Sequence, residues 1–129
     1  MNLKTTLIAV CSAFVISGCV KNINELQTTA SKETISLAKE RLKNIREIKI
    51  TENGVIYFRV YIPNNQYWVR HKIEEYSTQI ACGQLRWFVD HGMTVRVAFQ
   101  GTKGITNDYN QERCQVIMPV NHPSDTKPS

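Results

Sequence analysis

From residue 31 onward, apolar positions recur in blocks whose spacing switches between the helical and the extended period. In residues 31–47, Ile35, Ala38, Leu42 and Ile45 stand three or four apart, which lines one face of a helix. Ser31 occupies the N-cap position and Glu33 the first turn, where the helix dipole favours an acid. Lys39, Glu40, Lys43 and Arg46 fall on the other faces. The run Ile48-Lys49-Ile50-Thr51 then alternates, and Glu52-Asn53-Gly54 carries the Asn-Gly pair that marks a hairpin. Residues 55–62 put Ile56, Phe58, Val60 and Ile62 on one strand face and Tyr57, Arg59 and Tyr61 on the other. Pro63-Asn64-Asn65 closes that run.

Residues 70–82 read as a second helix, with Ile73, Tyr76, Ile80 and Ala81 as its apolar face and Gly83 as a left-handed C-cap. After it, Leu85, Trp87 and Val89 alternate with Arg86, Phe88 and Asp90. Asp90-His91-Gly92 is a turn, and Met93, Val95, Val97 and Phe99 alternate with polar or small residues. This pattern predicts a half-buried antiparallel hairpin. Residues 101–112 are polar, hold two glycines and read as a long loop. Cys114, Val116, Met118 and Val120 alternate as a last strand, and residues 121–129 are a tail expected to be disordered. The prediction is an α+β domain over residues 31–120, with an antiparallel sheet of about four to five strands, two helices on one face and one disulfide.

Ahead of the domain, residues 1–18 have a different pattern. Lys4 precedes a nearly uninterrupted apolar stretch from Leu7 to Ile16, the layout of a secretory signal. The stretch is about half the roughly twenty residues that a spanning helix needs. The motif Ile16-Ser17-Gly18-Cys19 resembles the lipobox of bacterial lipoproteins, in which the Cys is acylated and becomes the first mature residue. Ordinary signal cleavage favours a small residue three positions before the cut, and Ile16 does not fit that preference. Residue 20 is Val, not Asp. By resemblance to lipoprotein sorting in two-membrane bacteria, the protein is expected on the outer membrane, anchored through lipid and facing the periplasm. Residues 19–30 are mostly polar and read as a lipidated tether whose eleven residues after the Cys reach about 35 Å when extended.

Charge and cysteine content follow from this division. The chain carries +5; removing residues 1–18 takes Lys4 and no acid, leaving +4, with acids and bases interleaved. This charge is modest and dispersed, so nucleic acid is not an expected partner. Of four cysteines, Cys11 leaves with the signal and Cys19 takes lipid, so Cys82 and Cys114 remain. In an oxidising compartment they are expected to form one disulfide. It would close a loop of roughly thirty residues, with a stabilisation of up to about 3.5–4 kcal/mol.

Motifs that carry chemistry are scarce. His71, His91 and His122 have no second ligand at metal-binding spacing on one element. There is no G-x-S-x-G elbow, and Gly101-Thr102-Lys103-Gly104 lacks the spacing of a phosphate loop. Glu74 and Glu75 are adjacent, so on a helix they diverge. No catalytic residue, metal or cofactor is expected, and binding is the expected class of function. Tyr57, Tyr61, Tyr67, Trp68 and Trp87 are the candidate partner-binding residues, because exposed aromatics dominate interface hot spots. Residues 65–70, Asn-Gln-Tyr-Trp-Val-Arg, are the densest cluster.

The order of these features resembles the small α/β pilotin lipoproteins of bacterial type II secretion. The resemblance runs through most of the mature chain. It comprises Cys19, a helix with Ser36-Leu37-Ala38-Lys39, a hairpin, a helix ending Tyr76-Ser77-Thr78-Gln79-Ile80-Ala81-Cys82, a Gly-turned hairpin and the late Cys114. It rests on order and spacing, not on a diagnostic motif. It implies a piloting chaperone that binds the C-terminal segment of a secretin subunit. The lipoprotein sorting machinery would then carry both to the outer membrane, where the secretin assembles. A segment that folds as an amphipathic helix into an apolar groove suits such a task. Two other classes fit the same sequence. One is an envelope lipoprotein that inhibits a host lytic enzyme through the loop at 101–112. The other is a structural component of an envelope complex.

Overall fold

Ser31 caps the first α-helix of the computed structural model, which describes residues 21–63 and 65–120. Its hydroxyl accepts from the Thr34 N–H at 3.1 Å and starts α1, Lys32–Arg41. Ala38 and Leu42 are buried and Ile35 is half-buried, as the spacing predicts. The helix ends at Arg41, before Asn44 and Ile45, and Ile45 is exposed instead of completing the stripe.

Strands β1, Ile48–Ile50, and β2, Val55–Tyr61, form the expected hairpin, with Ile48 opposite Phe58 and Ile50 opposite Ile56. Gly54 turns it at φ 90°. The Thr51 hydroxyl accepts from the Val55 N–H at 2.9 Å. Helix α2, Arg70–Thr78, runs straight into a π-helical segment, Gln79–Gln84, in which the Leu85 N–H reaches back to the Ile80 carbonyl at 2.9 Å. Gly83 lies inside that segment with no positive φ, so it is not the expected left-handed cap.

The stretch read as a strand from Gln84 to Asp90 is a helix, α3, Arg86–Asp90. Leu85, Phe88 and Val89 are buried, a three-and-four spacing that coexists with the apparent alternation. Strand β3, Thr94–Gln100, therefore has no hairpin partner before it. It lies parallel to β2, from Val55 opposite Thr94 to Tyr61 opposite Gln100. The crossover through α2 and α3 is what a parallel pair requires. All of β3 except Gln100 is buried, so it is central and not half-exposed.

Residues 101–112 are not a continuous loop. They contain β4, Thr106–Tyr109, which pairs antiparallel with β3, Arg96 opposite Asp108. The last predicted strand is a helix, α4, Gln111–Ile117, whose Asn110 cap accepts from the Arg113 N–H at 2.9 Å. The result is an α+β fold with a four-stranded mixed sheet in the order β1-β2-β3-β4 and four α-helices.

The core lies between one sheet face, with Ile56, Val95, Val97 and Phe99, and the helices. Cys82 and Cys114 are bonded, as expected, with Cα atoms 5.2 Å apart. The bond ties the π segment to α4. Arg86 reinforces the junction. Its buried guanidinium donates to Asp90 Oδ1 at 2.9 Å, to Gln115 Oε1 at 2.8 Å and to the Met118 carbonyl at 2.8 Å.

The opposite sheet face meets the N-terminal segment through Arg96, whose Nη2 donates to the Lys21 carbonyl. A row of partners crosses it: Lys49, Tyr57, Arg96 and Asp108. Arg96 is buried, and both oxygens of Asp108 accept from its guanidinium, at 2.7 and 2.9 Å. These hydrogen bonds hold the Arg96 pKa above its ordinary value, against the opposing effect of burial. Cys19, the signal residues and the tail from residue 121 lie outside the described residues.

Candidate functional site

The core face of the sheet is covered unevenly. Val60 and Phe99 stand near the C-terminal ends of the parallel strands β2 and β3, where an apolar groove of about 460 Å³ opens. Val60, Trp68, Tyr76 and Phe99 form its apolar lining, and Lys72, Glu75 and Gln79 its polar part. The position follows from the chain path. The connection leaving β2 must climb over the strand ends to begin α2, and Trp68 lies on that climb.

Trp68 is fixed by three contacts with the end of β3 and the turn after it. Its indole N–H donates to the Gln100 carbonyl at 3.1 Å, and its backbone N–H donates to the Thr102 carbonyl at 3.0 Å. Its ring meets Phe99 edge-on, centroids 4.8 Å apart. Tyr76 approaches the same Phe99 from α2, centroids 6.1 Å apart, and remains 49% exposed. Two aromatic walls on a phenylalanine floor give a groove with the size and chemistry for an aliphatic or aromatic side chain. Lys72 and Glu75 pair at 3.2 Å beside it, an exposed ion pair that contributes register more than energy.

Trp68 also borders a second hollow, with Tyr67, Arg70, Ile73, Lys103 and Ile105. Tyr67 is 61% exposed there, and the Lys103 ammonium lies 5.1 Å from its ring centre. Thus Trp68 and Tyr67, of the five candidate aromatics, come together. The other three do not. Tyr57 and Tyr61 project from the opposite sheet face, Tyr57 with Arg59 5.6 Å from its ring centre. Trp87 is on α3, stacked on His91 at 3.8 Å, and its buried indole N–H has no partner among the described residues.

Val60, Phe99 and Tyr76 were not candidates on sequence grounds, because their periodicity marks them as core. The available signal is positional: Val60 and Phe99 are among the last core-facing residues of their strands. Among the described residues no group of three or more His, Cys, Asp or Glu could hold a metal ion. His71 and His91 are exposed, and His122 lies outside the described residues. The loop that would serve an inhibitor is reduced to the turn at 101–105, because β4 and α4 take up the rest. The chemistry on offer is apolar capture beside a polar rim. No protein-family model, no curated protein and no solved structure matches this chain.

Proposed function

We propose that the chain is an outer-membrane lipoprotein acting as a pilotin: it binds the C-terminal segment of a secretin subunit and directs that subunit's transport and assembly for type II secretion. The groove between Trp68, Tyr76 and Phe99 is the receptor for that segment. The observation that carries the reading is the groove's position. It lies at the C-terminal ends of β2 and β3, while Lys21, two residues from Cys19, is held by Arg96, four residues before the end of β3. Four strand residues put about 13 Å along β3 between Arg96 and Gln100. An anchor set apart from the apolar receptor leaves the groove free to take a segment of the carried subunit. The lipobox-like Ile16-Ser17-Gly18-Cys19 and the order of helices, hairpin and cysteines support the same reading.

An amphipathic helix laid over the groove would insert one apolar side chain between Trp68 and Tyr76 and leave its charges at Lys72 and Glu75. The test is calorimetry of residues 21–129 against a peptide covering the secretin C-terminus, with circular dichroism of the mixture. Micromolar or tighter binding with a gain of helix is the expected result. A folded, oxidised domain that binds no such peptide contradicts the reading and favours an inhibitor or a structural component of an envelope complex.

A further inference from the structure

The segment expected to be a free tether is held against the domain. The Asn53 side chain donates to the carbonyls of Ile23 and Leu26 at 3.2 and 2.9 Å. The Thr29 N–H donates to the Gly92 carbonyl at 3.0 Å. Nearest the N-terminus, Arg96 Nη2 donates to the Lys21 carbonyl at 2.5 Å. Arg96 is buried and locked to Asp108, so this last hold is not made by a mobile surface side chain.

Lys21 is two residues from Cys19. Two residues of chain span at most about 7 Å. Lipid on Cys19 would therefore enter a bilayer close to the Lys21 carbonyl, not at the end of a long leash. Lys21 lines the same hollow as Arg113 and Val116 of α4. Val116 is 78% exposed, and Ile117, Met118 and Val120 beside it are also exposed. This apolar group has no cover among the described residues, and such groups mark interaction surfaces.

We propose that this end of the domain lies against the phospholipid surface, with Val116, Ile117, Met118 and Val120 at the acyl boundary and Lys21 and Arg113 among the headgroups. The proposal rests on reading Cys19 as acylated. Apolar side chains of an interfacial helix reach about 5–10 Å into the headgroup region. Four of them would not hold a protein on a membrane alone. Held within a short reach of the lipid anchor, they act at high effective concentration. The contact fixes the orientation of the domain on the bilayer.

The test uses the full chain, purified from bacterial membranes and reconstituted into vesicles of phosphatidylethanolamine and phosphatidylglycerol. Mass spectrometry first reads the acyl chains on Cys19. An environment-sensitive fluorophore is then placed at Val116→Cys or, separately, at Tyr61→Cys on the far end of β2. The label at 116 should shift to the blue and lose emission to lipids brominated in their acyl chains, while the label at 61 should do neither. In the unsubstituted protein, a phospholipid with a photoreactive acyl chain should label the peptide holding residues 116–120 and spare the one holding 61–67. Acylated, vesicle-bound protein in which both measurements find residues 116–120 as lipid-free as residue 61 overturns the orientation alone. A Cys19 without acyl chains overturns the anchoring reading and this proposal with it.

Discussion

Arg96 donates to the carbonyl of Lys21 while its guanidinium holds both carboxylate oxygens of Asp108. One buried side chain thus joins the N-terminal segment, the central strand and the edge strand. Replacing Arg96 by Met should cost about 2 kcal/mol, below the 3–5 of a fully buried pair because Asp108 is partly exposed. Urea denaturation reads the loss. Hydrogen exchange should show residues 21–24 released ahead of the rest. Exchange there unchanged from the wild type would mean that Arg96 does not restrain the segment.

The same ion pair sets an expectation for pH. The folded-state pKa of Arg96 is raised, so its contribution is complete below the unfolded pKa and lost only as pH rises through the higher folded value. Between roughly pH 5 and pH 9 an arginine does not titrate. The stability difference between wild type and Arg96→Met should therefore be flat across that range. A difference that grows or shrinks steadily across it would show another titrating group at work.

Arg86 and Asp90 make a second prediction. Both side chains are nearly inaccessible, 8% and 2% exposed. Arg86→Ala leaves the Asp90 carboxylate buried without its partner and removes the hold on Gln115 and the Met118 carbonyl. The expected loss is about 3–5 kcal/mol. The double variant Arg86→Met, Asp90→Leu should recover more than half of it, measured by the same urea titration. No recovery would place the cost in the lost contacts to α4.

Gly92 and Gly83 should respond in opposite ways. At Gly92, φ is 94° and an added Cβ would meet Ala30 N at 2.7 Å, so Gly92→Ala strains the turn and displaces residues 29–30. A loss of at least about 1 kcal/mol is expected. At Gly83 nothing lies within 4 Å and φ is not positive. Gly83→Ala should be neutral or stabilise by up to about 1 kcal/mol. Thermal melts of the two variants decide it.

Sequence reading succeeded where one local rule had no rival. Ser31 caps α1, Asn53-Gly54 turns the first hairpin, Ile56 and Phe58 face the core, and Cys82 bonds Cys114. It failed where two periods fit one short segment. Leu85, Phe88 and Val89 form a helical face, yet Leu85, Trp87 and Val89 also alternate. In α4 the alternating Val116 and Met118 are exposed, and only Cys114 is buried. The helix signal was the cap Asn110 with Glu112 in the first turn. Strand β4 was hidden because an edge strand of Thr, Asn, Asp and Tyr shows no apolar alternation. At the groove, Trp68 was legible as a candidate. Phe99 and Tyr76 were not, because core periodicity cannot tell which residues the helices leave uncovered.

Tyr76 separates binding from folding. It is half-exposed and meets Phe99 edge-on. Tyr76→Ala should change stability by no more than about 1 kcal/mol while weakening secretin-peptide binding by about tenfold or more. Equal affinity in the two proteins would remove the groove from the interface.

The most direct measurement places a photo-crosslinking amino acid at Tyr76 or at Tyr61 in the living cell. The Tyr76 site should capture the secretin subunit through its C-terminal segment, and the Tyr61 site, on the opposite sheet face, should not. A secretin adduct that is absent at Tyr76, or equally strong at Tyr61, would contradict the account.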